Sequence, residues 1–385
     1  MTILAGSNPH AGTTMIRRAV GIVGKAAVIA VGTAVPELAW PKSQTFDGLA
    51  ALWNLRGAAL ERWQRIVAGS GIDKRHGVLA PEMVASMTTG QRMAAYERLA
   101  PPLAMQSARQ ALDRASIEPG DVTDIVVVSC TGLYAPGVDV DLISGLGLKS
   151  TTRRTTIGFM GCFGAINGLR IASSLCAANP EAVTLLVCVE LCSLHVRADD
   201  DVQNQVASAL FADGAASAVL VGSRAAQRLE TTPKASFPHS GGLPAWIGSS
   251  ASLLLPEGRG WMSWRITDAG FAMTLTREVP AALRRSIEAF VDDLGGGKDP
   301  TFIVHPGGPG VLDAADDALN LRGGRGIDCA RRVLRTFGNM SSATALFVLE
   351  DALQQSCTTP MTMLAFGPGL TIEGLRLDGD RTRHD

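Results

Sequence analysis

The chain is poor in aromatic side chains and carries almost no net charge. Aromatic residues make up 5% of its 385 positions, and 35 lysines and arginines stand against 36 aspartates and glutamates. The net charge is −1, and the basic residues form no block along the chain. Because chains that bind nucleic acids usually concentrate positive charge, the composition gives no indication of a nucleic-acid partner.

The cysteines show no spacing that is typical of a metal site. They lie at positions 130, 162, 176, 188, 192, 329 and 357. Cys188 and Cys192 form one pair, but no second pair or histidine cluster is there to complete a zinc site. An odd number of cysteines predicts free thiols in a reducing compartment, the cytoplasm.

Long apolar runs are also missing, and none approaches the ~18 residues of a membrane span. The best candidate, residues 19–35, is interrupted by Lys25 and ended by Pro36, which also makes it a poor signal peptide. We interpret residues 26–33 as a buried first strand and residues 1–22 as a flexible tail.

Hydrophobic spacing along the chain predicts alternating helices and strands. Helical spacing recurs in the stretches 47–68, 93–116 and 278–294. Continuous apolar runs, typical of strands in a sheet covered on both faces, occur at 124–128 and 183–189. Pro101-Pro102 predicts an interruption of the second helix. Residues 223–260 show no clear period and predict loops, whereas residues 261–275 predict a hairpin.

The stretch 155–179 holds the first candidate for chemistry. Its pattern predicts a strand, a turn at Gly158 and Gly161, and a helix, with Cys162 at or just before the first helical turn. Free N–H groups and the helix dipole favour an anion there, so we expect a nucleophilic thiolate with a lowered pKa. The alternative is that Cys162 is a small buried apolar residue, as most lone cysteines are.

The second half of the chain repeats the pattern of the first. Residues 301–305 predict a strand that enters a glycine-rich loop, as residues 124–132 do, and Gly338-Asn339 precede a predicted helix as Gly161-Cys162 do. We therefore predict a duplicated α/β fold whose equivalent helix starts meet at a pseudo-twofold centre. The predicted parts are a tail, an N-terminal half and a C-terminal half, at residues 1–22, 23–235 and 236–385.

Cys162, His305 and Asn339 all stand at glycine-rich strand ends or helix starts. A histidine beside a cysteine can hold the thiolate as an ion pair, and histidine and asparagine N–H groups can donate to an oxyanion. Taken singly, His305 could be a turn residue and Asn339 a helix cap. Their equivalent positions favour a catalytic set. The chain has no G-x-S-x-G elbow, no Walker loop and no G-x-G-x-x-G after a strand.

Five segments closely resemble the type III polyketide synthases, the chalcone synthase family of the thiolase superfamily. In chain order they are GFMGCFGAINGLRIA, ALFADGAASAVLVG, FIVHPGGPGVLD, FGNMSSATALFVLED and FGPGLTIE. The resemblance implies a homodimer of subunits with a duplicated, five-layered αβαβα thiolase-like fold. It implies decarboxylative condensation of malonyl-CoA onto an acyl-CoA starter, with CoA thioesters as substrates and no further cofactor.

The resemblance also implies roles for single residues. Cys162 matches the acylated nucleophile and His305 the partner of its thiolate. His305 and Asn339 match the groups that stabilise the enolate left by decarboxylation. Phe211 matches a gatekeeping phenylalanine between the CoA tunnel and the cavity. Further substrate-binding positions fall on Gly307, Gly308 and Pro368.

Two arginines match cations that hold the CoA phosphates in the family. They are Arg62 and Arg65, and Gly69 stands where a third cation is expected. The alternative for both arginines is ordinary solvated charge on a helix.

Four positions depart from the plant members of the family. Met273 falls where they have a second gatekeeping phenylalanine, and their cavity threonines fall at Cys130, Cys192 and His195. ELCSLH is similar to bacterial alkylpyrone and alkylresorcinol synthases. A flexible methionine suits an aliphatic chain, so we expect a fatty acyl starter and a pyrone or resorcinol product. The alternatives are a chalcone- or stilbene-like synthase with an aromatic or short starter, and Met273 as a mere packing residue.

Functions of other kinds share parts of this pattern. A condensing enzyme like 3-oxoacyl-ACP synthase III has the same three residues, but it would more typically carry glycine in place of Pro368 and would use an acyl carrier protein. A cysteine hydrolase usually has its cysteine near the mature N-terminus. The intact set of Cys162, His305 and Asn339 argues against a non-catalytic scaffold.

Overall fold

The computed structural model describes residues 20–21, 25–231, 243–296, 299, 301–321 and 327–379. Most of the predicted tail, and the predicted boundary between residues 235 and 236, lie outside these ranges. Within the tail, Val20–Gly21 form a short strand that pairs with residues 249–250.

The described part of the chain alternates strands and helices. In chain order the strands are β1 (Val20–Gly21), β2 (Ala26–Ala34), β3 (Ala39–Pro41), β4 (Lys74–His76), β5 (Asp124–Ser129), β6 (Arg153–Gly158), β7 (Val183–Leu191), β8 (Asp213–Gly222), β9 (Ala245–Leu254), β10 (Met262–Thr267), β11 (Gly270–Leu275), β12 (Thr301–Val304), β13 (Met361–Gly367) and β14 (Thr371–Asp378). The helices are α1 (Lys42–Leu52), α2 (Gly57–Gly69), α3 (Pro81–Val84), α4 (Thr89–Ala115), α5 (Val138–Leu146), α6 (Gly164–Ala178), α7 (Val202–Leu210), α8 (Ser223–Thr231), α9 (Glu278–Leu294), α10 (Pro309–Leu319), α11 (Asp328–Phe337) and α12 (Thr344–Gln354). Among them, none is both long enough and apolar enough to cross a membrane.

Strand order reveals the duplication. In the first half the order is β6-β5-β7-β8-β2, and in the second half it is β12-β13-β14-β9. In each half a parallel pair is followed by two antiparallel pairs. In the first half β5 is parallel to β7, β7 is antiparallel to β8, and β8 is antiparallel to β2. In the second half β12 is parallel to β13, β13 is antiparallel to β14, and β14 is antiparallel to β9. The two halves join where β2 pairs with β9. The predicted duplicated α/β fold is therefore confirmed.

The two halves of the sheet enclose α6 and α12 and carry further helices on their outer faces. Helix α4 packs against β2, β7 and β8, and α9 packs against β9 and β14. The apolar positions of α12 (TALFVLEDALQ) are buried almost all round, as expected of a helix between two sheets. The layers thus run αβαβα, which is the thiolase-like arrangement.

Three local predictions were wrong. Helix α4 continues through Pro101-Pro102, because its buried face there packs on the sheet. The helix predicted for 47–68 breaks into α1 and α2 at Asn54 and Gly57, which have φ values of 48° and 50°. The supposed loops of 223–260 contain α8 and β9; β9 is buried at its start and half-exposed later, so it shows no uniform period.

Candidate active site

Cys162 lies in a tight turn between β6 and α6. The chain passes through Gly161, whose φ is 79°, and a 3-10 turn at Gly161–Phe163 leads into α6. A side chain at position 161 would also overlap the Pro368 ring, so conformation and space both require glycine. Cys162 therefore stands directly before the first turn of α6, as predicted, and is 7% exposed.

The equivalent turn of the second half packs against this one. Gly338, with a φ of 79°, precedes Asn339, and a 3-10 turn at Ser341–Ala343 leads into α12. The thiol of Cys162 lies 3.8 Å from Ser341 Oγ and donates a weak hydrogen bond to it. The two helix starts therefore meet between the sheets.

The side-chain amide of Asn339 is oriented by its neighbours. Its Oδ1 accepts hydrogen bonds from the Ser341 N–H at 2.9 Å and from the Thr344 hydroxyl at 3.4 Å. Its Nδ2 donates to the Gly307 carbonyl at 3.4 Å and lies in hydrogen-bonding reach of the Cys162 thiol. Because the oxygen is bound at the start of α12, the N–H donors face the thiol.

His305 follows β12 and is completely buried. Its backbone N–H donates to the Leu364 carbonyl at 2.7 Å, which holds it at the end of the β12–β13 pairing. Neither ring nitrogen has a hydrogen-bond partner among the described residues. Burial lowers the pKa of the imidazole from 6.5 to about 3. A neutral ring of this kind has one nitrogen that can donate and one that can accept.

The surroundings of Cys162 raise the pKa of its thiol, whereas the helix start was expected to lower it. Burial raises the pKa of the thiol to about 12; hydrogen bonds with Ser341 and Asn339 oppose this shift, and the charge of Glu190 adds to it. Desolvation of the sulfur thus outweighs the helix-start effect. No hydrogen bond joins the Cys162 thiol to the His305 ring, because neither ring nitrogen has a partner among the described residues. The ion pair with His305 stays a prediction.

A cavity of about 430 Å³ lies next to Cys162. Its wall includes five residues that were predicted to bind substrate: Cys130, Cys192, Phe211, Met273 and Pro368. The apolar side chains of Phe159, Met262 and Trp264 complete much of the remaining wall.

A larger cavity of about 790 Å³ adjoins the first. The two cavities share four wall residues, Cys192, Phe211, Trp264 and Met273. We call these four the partition. The larger cavity extends to the exposed residues Gln44 and Glu82 and so reaches the protein surface.

Two side chains of the partition differ in mobility: Trp264 is fixed and Met273 is adaptable. Trp264 and Met273 are opposite each other in the β10–β11 hairpin. The Trp264 indole N–H donates to the Cys130 carbonyl at 2.9 Å, and the ring stands edge-on to Phe271 with centroids 5.9 Å apart. Met273 has three rotatable bonds and is half-buried. The sequence analysis missed Trp264, because which face of the hairpin meets the cavity depends on its packing.

His195 lines the larger cavity, but both of its ring nitrogens are occupied. Nε2 donates to the Thr131 carbonyl at 2.7 Å, and Nδ1 accepts from the Phe271 N–H at 3.1 Å. The ring stacks on Phe271 with centroids 4.1 Å apart. Burial lowers the pKa of His195 to about 3, so the imidazole is a neutral, fixed part of the wall.

A third cavity is lined by Gly307 and Gly308, which lie two and three positions after His305 in the chain. Arg65 lines it as predicted, whereas Arg62 lies outside its wall and donates to Gln205 Oε1 at 3.3 Å. Arg277, with a side chain that is 94% exposed, also lines this cavity. The sequence analysis missed Arg277, which lies more than 200 positions beyond Arg65 in the chain.

Glu190 is a third residue near the site that was not predicted from the sequence. Its fully buried carboxylate accepts hydrogen bonds from the Cys130 N–H at 3.0 Å, the Thr131 hydroxyl at 2.7 Å and the Ser342 hydroxyl. Burial raises its pKa to about 7. A glutamate in the otherwise apolar strand VTLLVCVEL was the available signal. Within the described ranges, no cluster of histidine, cysteine or acidic residues has the makings of a metal site.

Comparison with known families places this geometry among condensing enzymes. The profile "Chalcone and stilbene synthases, N-terminal domain" matches residues 13–225, and "Chalcone and stilbene synthases, C-terminal domain" matches residues 247–379. Together the two profiles cover most of the chain, including Cys162, His305 and Asn339.

Individual relatives agree with the profiles. The chain is 32% identical over 376 residues to 1,3,6,8-tetrahydroxynaphthalene synthase of Streptomyces peucetius subsp. caesius, covering 94% of this chain and 95% of that protein. It is 29% identical over 393 residues to bisdemethoxycurcumin synthase of Oryza sativa subsp. japonica, covering 94% of each. The crystal structure of the C-terminal type III polyketide synthase domain of Steely1 from Dictyostelium matches with a TM-score of 0.82 and 29% identity, covering 92% of this chain and 99% of that one.

Proposed function

The chain belongs to the chalcone and stilbene synthase family and is a type III polyketide synthase, and on this premise we propose that it uses a fatty acyl starter. The starter is held on Cys162, extended by decarboxylative condensation with malonyl-CoA, and cyclised to a pyrone or a resorcinol. The observation that carries the choice of starter is the partition. The two cavities share Met273 as a wall residue, and we infer that a slender tail attached at Cys162 displaces this flexible side chain and enters the larger cavity.

In the loading step the Cys162 sulfur attacks the acyl-CoA carbonyl. The new sulfur–carbon bond replaces the bond to the CoA sulfur. The thiol proton goes to an unpaired nitrogen of neutral His305 and then to the departing CoA thiolate.

In the extension step the bond between the malonyl carboxylate and its methylene carbon breaks. Carbon dioxide leaves, and the electron pair remains as a thioester enolate. The Asn339 amide and the His305 ring each offer an N–H to the enolate oxygen. The enolate carbon then attacks the acyl group on Cys162, and the sulfur leaves as the new carbon–carbon bond forms.

CoA would enter by the third cavity, where Arg65 and Arg277 can bind its phosphates. Arg277 thus supplies a cation that the helix bearing Gly69 lacks. No cofactor beyond CoA thioesters takes part in these steps. Arg62 stays outside this set because its guanidinium is directed to Gln205.

We also propose that the enzyme is a cytoplasmic homodimer. Strand β6 stands at the end of the strand order, and one of its sides pairs with no strand of the described ranges; its side chains are exposed or half-buried. Such an edge favours pairing with another strand, and a second copy of the chain would supply it. Size-exclusion chromatography with light scattering tests this assembly, and a monomer at micromolar concentration would contradict it.

The decisive experiment for the substrate uses the purified protein, malonyl-CoA and a series of acyl-CoA starters from C2 to C18, with a phenylpropanoyl-CoA for comparison. Products are identified by mass spectrometry, and kcat/KM is measured for each starter. We expect the highest kcat/KM with long straight chains and pyrone or resorcinol products. A preference for the aromatic starter, or products built from malonyl-CoA alone, would overturn the fatty acyl assignment.

A further inference from the structure

Two arginines in this protein are buried and pair with no carboxylate in the described part of the chain. Arg75 is 8% exposed and Arg92 is 0% exposed. Burial lowers the pKa of each guanidinium to about 10, so both remain cations at neutral pH. A buried cation is costly unless hydrogen bonds compensate it. The acceptors of each arginine therefore indicate what it holds in place.

Arg75 binds the carbonyl end of α7. Its Nη1 donates to the Ser208 carbonyl and, at 3.3 Å, to the Phe211 carbonyl, while its Nε donates to the Thr45 hydroxyl at 3.4 Å. The last carbonyls of a helix have no partner within the helix and carry the negative end of its dipole. They are suitable acceptors for a cation that has no acid partner.

The segment that Arg75 holds is bonded directly to the catalytic amide residue. The Asn339 N–H donates to the Leu210 carbonyl at 2.9 Å, and the Ala212 N–H donates to the Asn339 carbonyl at 2.9 Å. This bridge joins Phe211 to Asn339. Arg75 also packs beside Gly338, where an added Cβ would lie 3.6 Å from the Arg75 Cβ. Arg75 therefore touches both strands of the bridge.

We propose that Arg75 is a positioning residue for decarboxylation, acting through the Phe211–Asn339 bridge. The inference rests on the proposed function, in which the Asn339 amide donates to the enolate oxygen. The planar guanidinium binds two carbonyls and a hydroxyl at once, which the single ammonium of lysine cannot reproduce. Without the hydrogen bonds of Arg75 the bridge can shift. A displacement of about 1 Å at a catalytic group costs on the order of 100-fold in rate.

Arg92 is the matched control. Its Nη1 donates to the carbonyls of Leu194 and, at 2.8 Å, Val196, and its Nε donates to the Met87 carbonyl at 2.9 Å. It holds the turn that carries His195, and none of these acceptors belongs to the Phe211–Asn339 bridge. Replacing either arginine by lysine removes a buried guanidinium and its hydrogen bonds. Only the replacement of Arg75 removes a hydrogen bond to the Phe211–Asn339 bridge.

The experiment compares Arg75→Lys and Arg92→Lys in the full-length enzyme. It measures kcat and KM for malonyl-CoA decarboxylation, the rate of Cys162 alkylation by iodoacetamide, and Tm. We expect Arg75→Lys to lower kcat by about tenfold or more, with KM and alkylation within about threefold of the wild type. We expect Arg92→Lys to lose a similar amount of Tm while kcat stays within about threefold. Equal losses of kcat in the two variants, or a loss in alkylation as large as that in kcat, would overturn the proposal.

A milder pair keeps the test decisive if Arg75→Lys does not fold. Thr45→Val removes the acceptor of Arg75 Nε and leaves the cation in place, whereas Thr45→Ser keeps the hydroxyl. We expect Thr45→Val to lower kcat for decarboxylation by about threefold and Thr45→Ser to keep the wild-type kcat. Two equally active variants would count against the proposal. Absence of malonyl-CoA decarboxylation in the wild type would instead refute the proposed function itself.

Discussion

Two buried histidines show how the catalytic centre differs from the cavity wall. Burial lowers the pKa of both His195 and His305 to about 3, so both rings are neutral. Both nitrogens of His195 are hydrogen-bonded to the backbone, whereas neither nitrogen of His305 has a partner in the described residues. Because buried polar atoms are nearly always bonded, the unpaired ring marks a place for substrate atoms.

The same contrast extends to the neighbours of each histidine. Around His305, the Asn339 amide presents donors towards the Cys162 thiol. Around His195, the Trp264 indole donates its single N–H to the Cys130 carbonyl. Different residues therefore serve catalysis and substrate selection. In the catalytic centre hydrogen-bond donors stay available for the substrate, whereas in the cavity wall they bind other parts of the protein. Each prediction below tests one side of this division.

Removal of the nucleophile should have the largest effect. We expect Cys162→Ala to abolish polyketide formation, because the acyl chain is carried on the Cys162 sulfur and the variant has no nucleophile at the start of α6. Slow decarboxylation of malonyl-CoA should remain, because it depends on His305 and Asn339. Product analysis by mass spectrometry and a carbon dioxide assay measure the two reactions separately. Normal polyketide formation by this variant would contradict the assignment of the centre.

The ionisation of Cys162 gives the next largest expected effect. With a pKa raised to about 12, the thiolate fraction at pH 7 should be about 3,000-fold below that of a free cysteine with a pKa near 8.5. Since the thiolate is the reactive form, the iodoacetamide rate at Cys162 should still be rising above pH 10. Peptide mass spectrometry after alkylation at a series of pH values measures this dependence. A midpoint near or below pH 8.5 would instead favour the Cys162–His305 ion pair.

Substituting each histidine by glutamine should distinguish a role in the catalytic centre from a role in the cavity wall. We expect His305→Gln to slow decarboxylation by about 100-fold or more, since a positioned acid–base group contributes 10²–10⁴-fold. His195→Gln removes a ring of similar burial but leaves the centre intact, so decarboxylation should change by less than about tenfold. Its effect should fall mainly on Tm, because the ring stacks on Phe271 and bonds to the Thr131 carbonyl. Similar kinetic losses in the two variants would remove the distinction.

Much of the fold could be predicted because its signals are local. Gly161 and the apolar spacing after it specify the turn and helix at Cys162, and Gly338-Asn339 specify the equivalent turn. The repeated pattern then predicted the duplication of the fold, although not the order of its strands. By contrast, Pro101-Pro102 predicted a break that packing against the sheet overrides. β9 was missed because its burial changes along its length.

The site was predictable in its residues but not in its electrostatics or its shape. The pKa of Cys162 depends first on burial by elements distant in the chain, and this desolvation outweighs the local helix-start effect and the opposing hydrogen bond with Ser341. The partition depends on which face of the β10–β11 hairpin meets the cavity, so Trp264 could not be assigned from spacing alone. Arg277 was missed because it lies more than 200 positions beyond Arg65 in the chain, and only the fold brings both to one cavity.

The smallest expected effect concerns the partition, where Met273 should control the length of the starter. A phenylalanine at this position has fewer ways to move aside, so Met273→Phe should narrow the passage into the larger cavity. Each methylene kept out of an apolar site costs about 0.8 kcal/mol, so excluding two of them should lower kcat/KM about tenfold. Met273→Leu, a swap of similar volume, is the control and should keep the wild-type ratio of long to short starters. Measuring kcat/KM for a C6 and a C14 acyl-CoA in all three proteins decides the point, because a packing residue would change both values together.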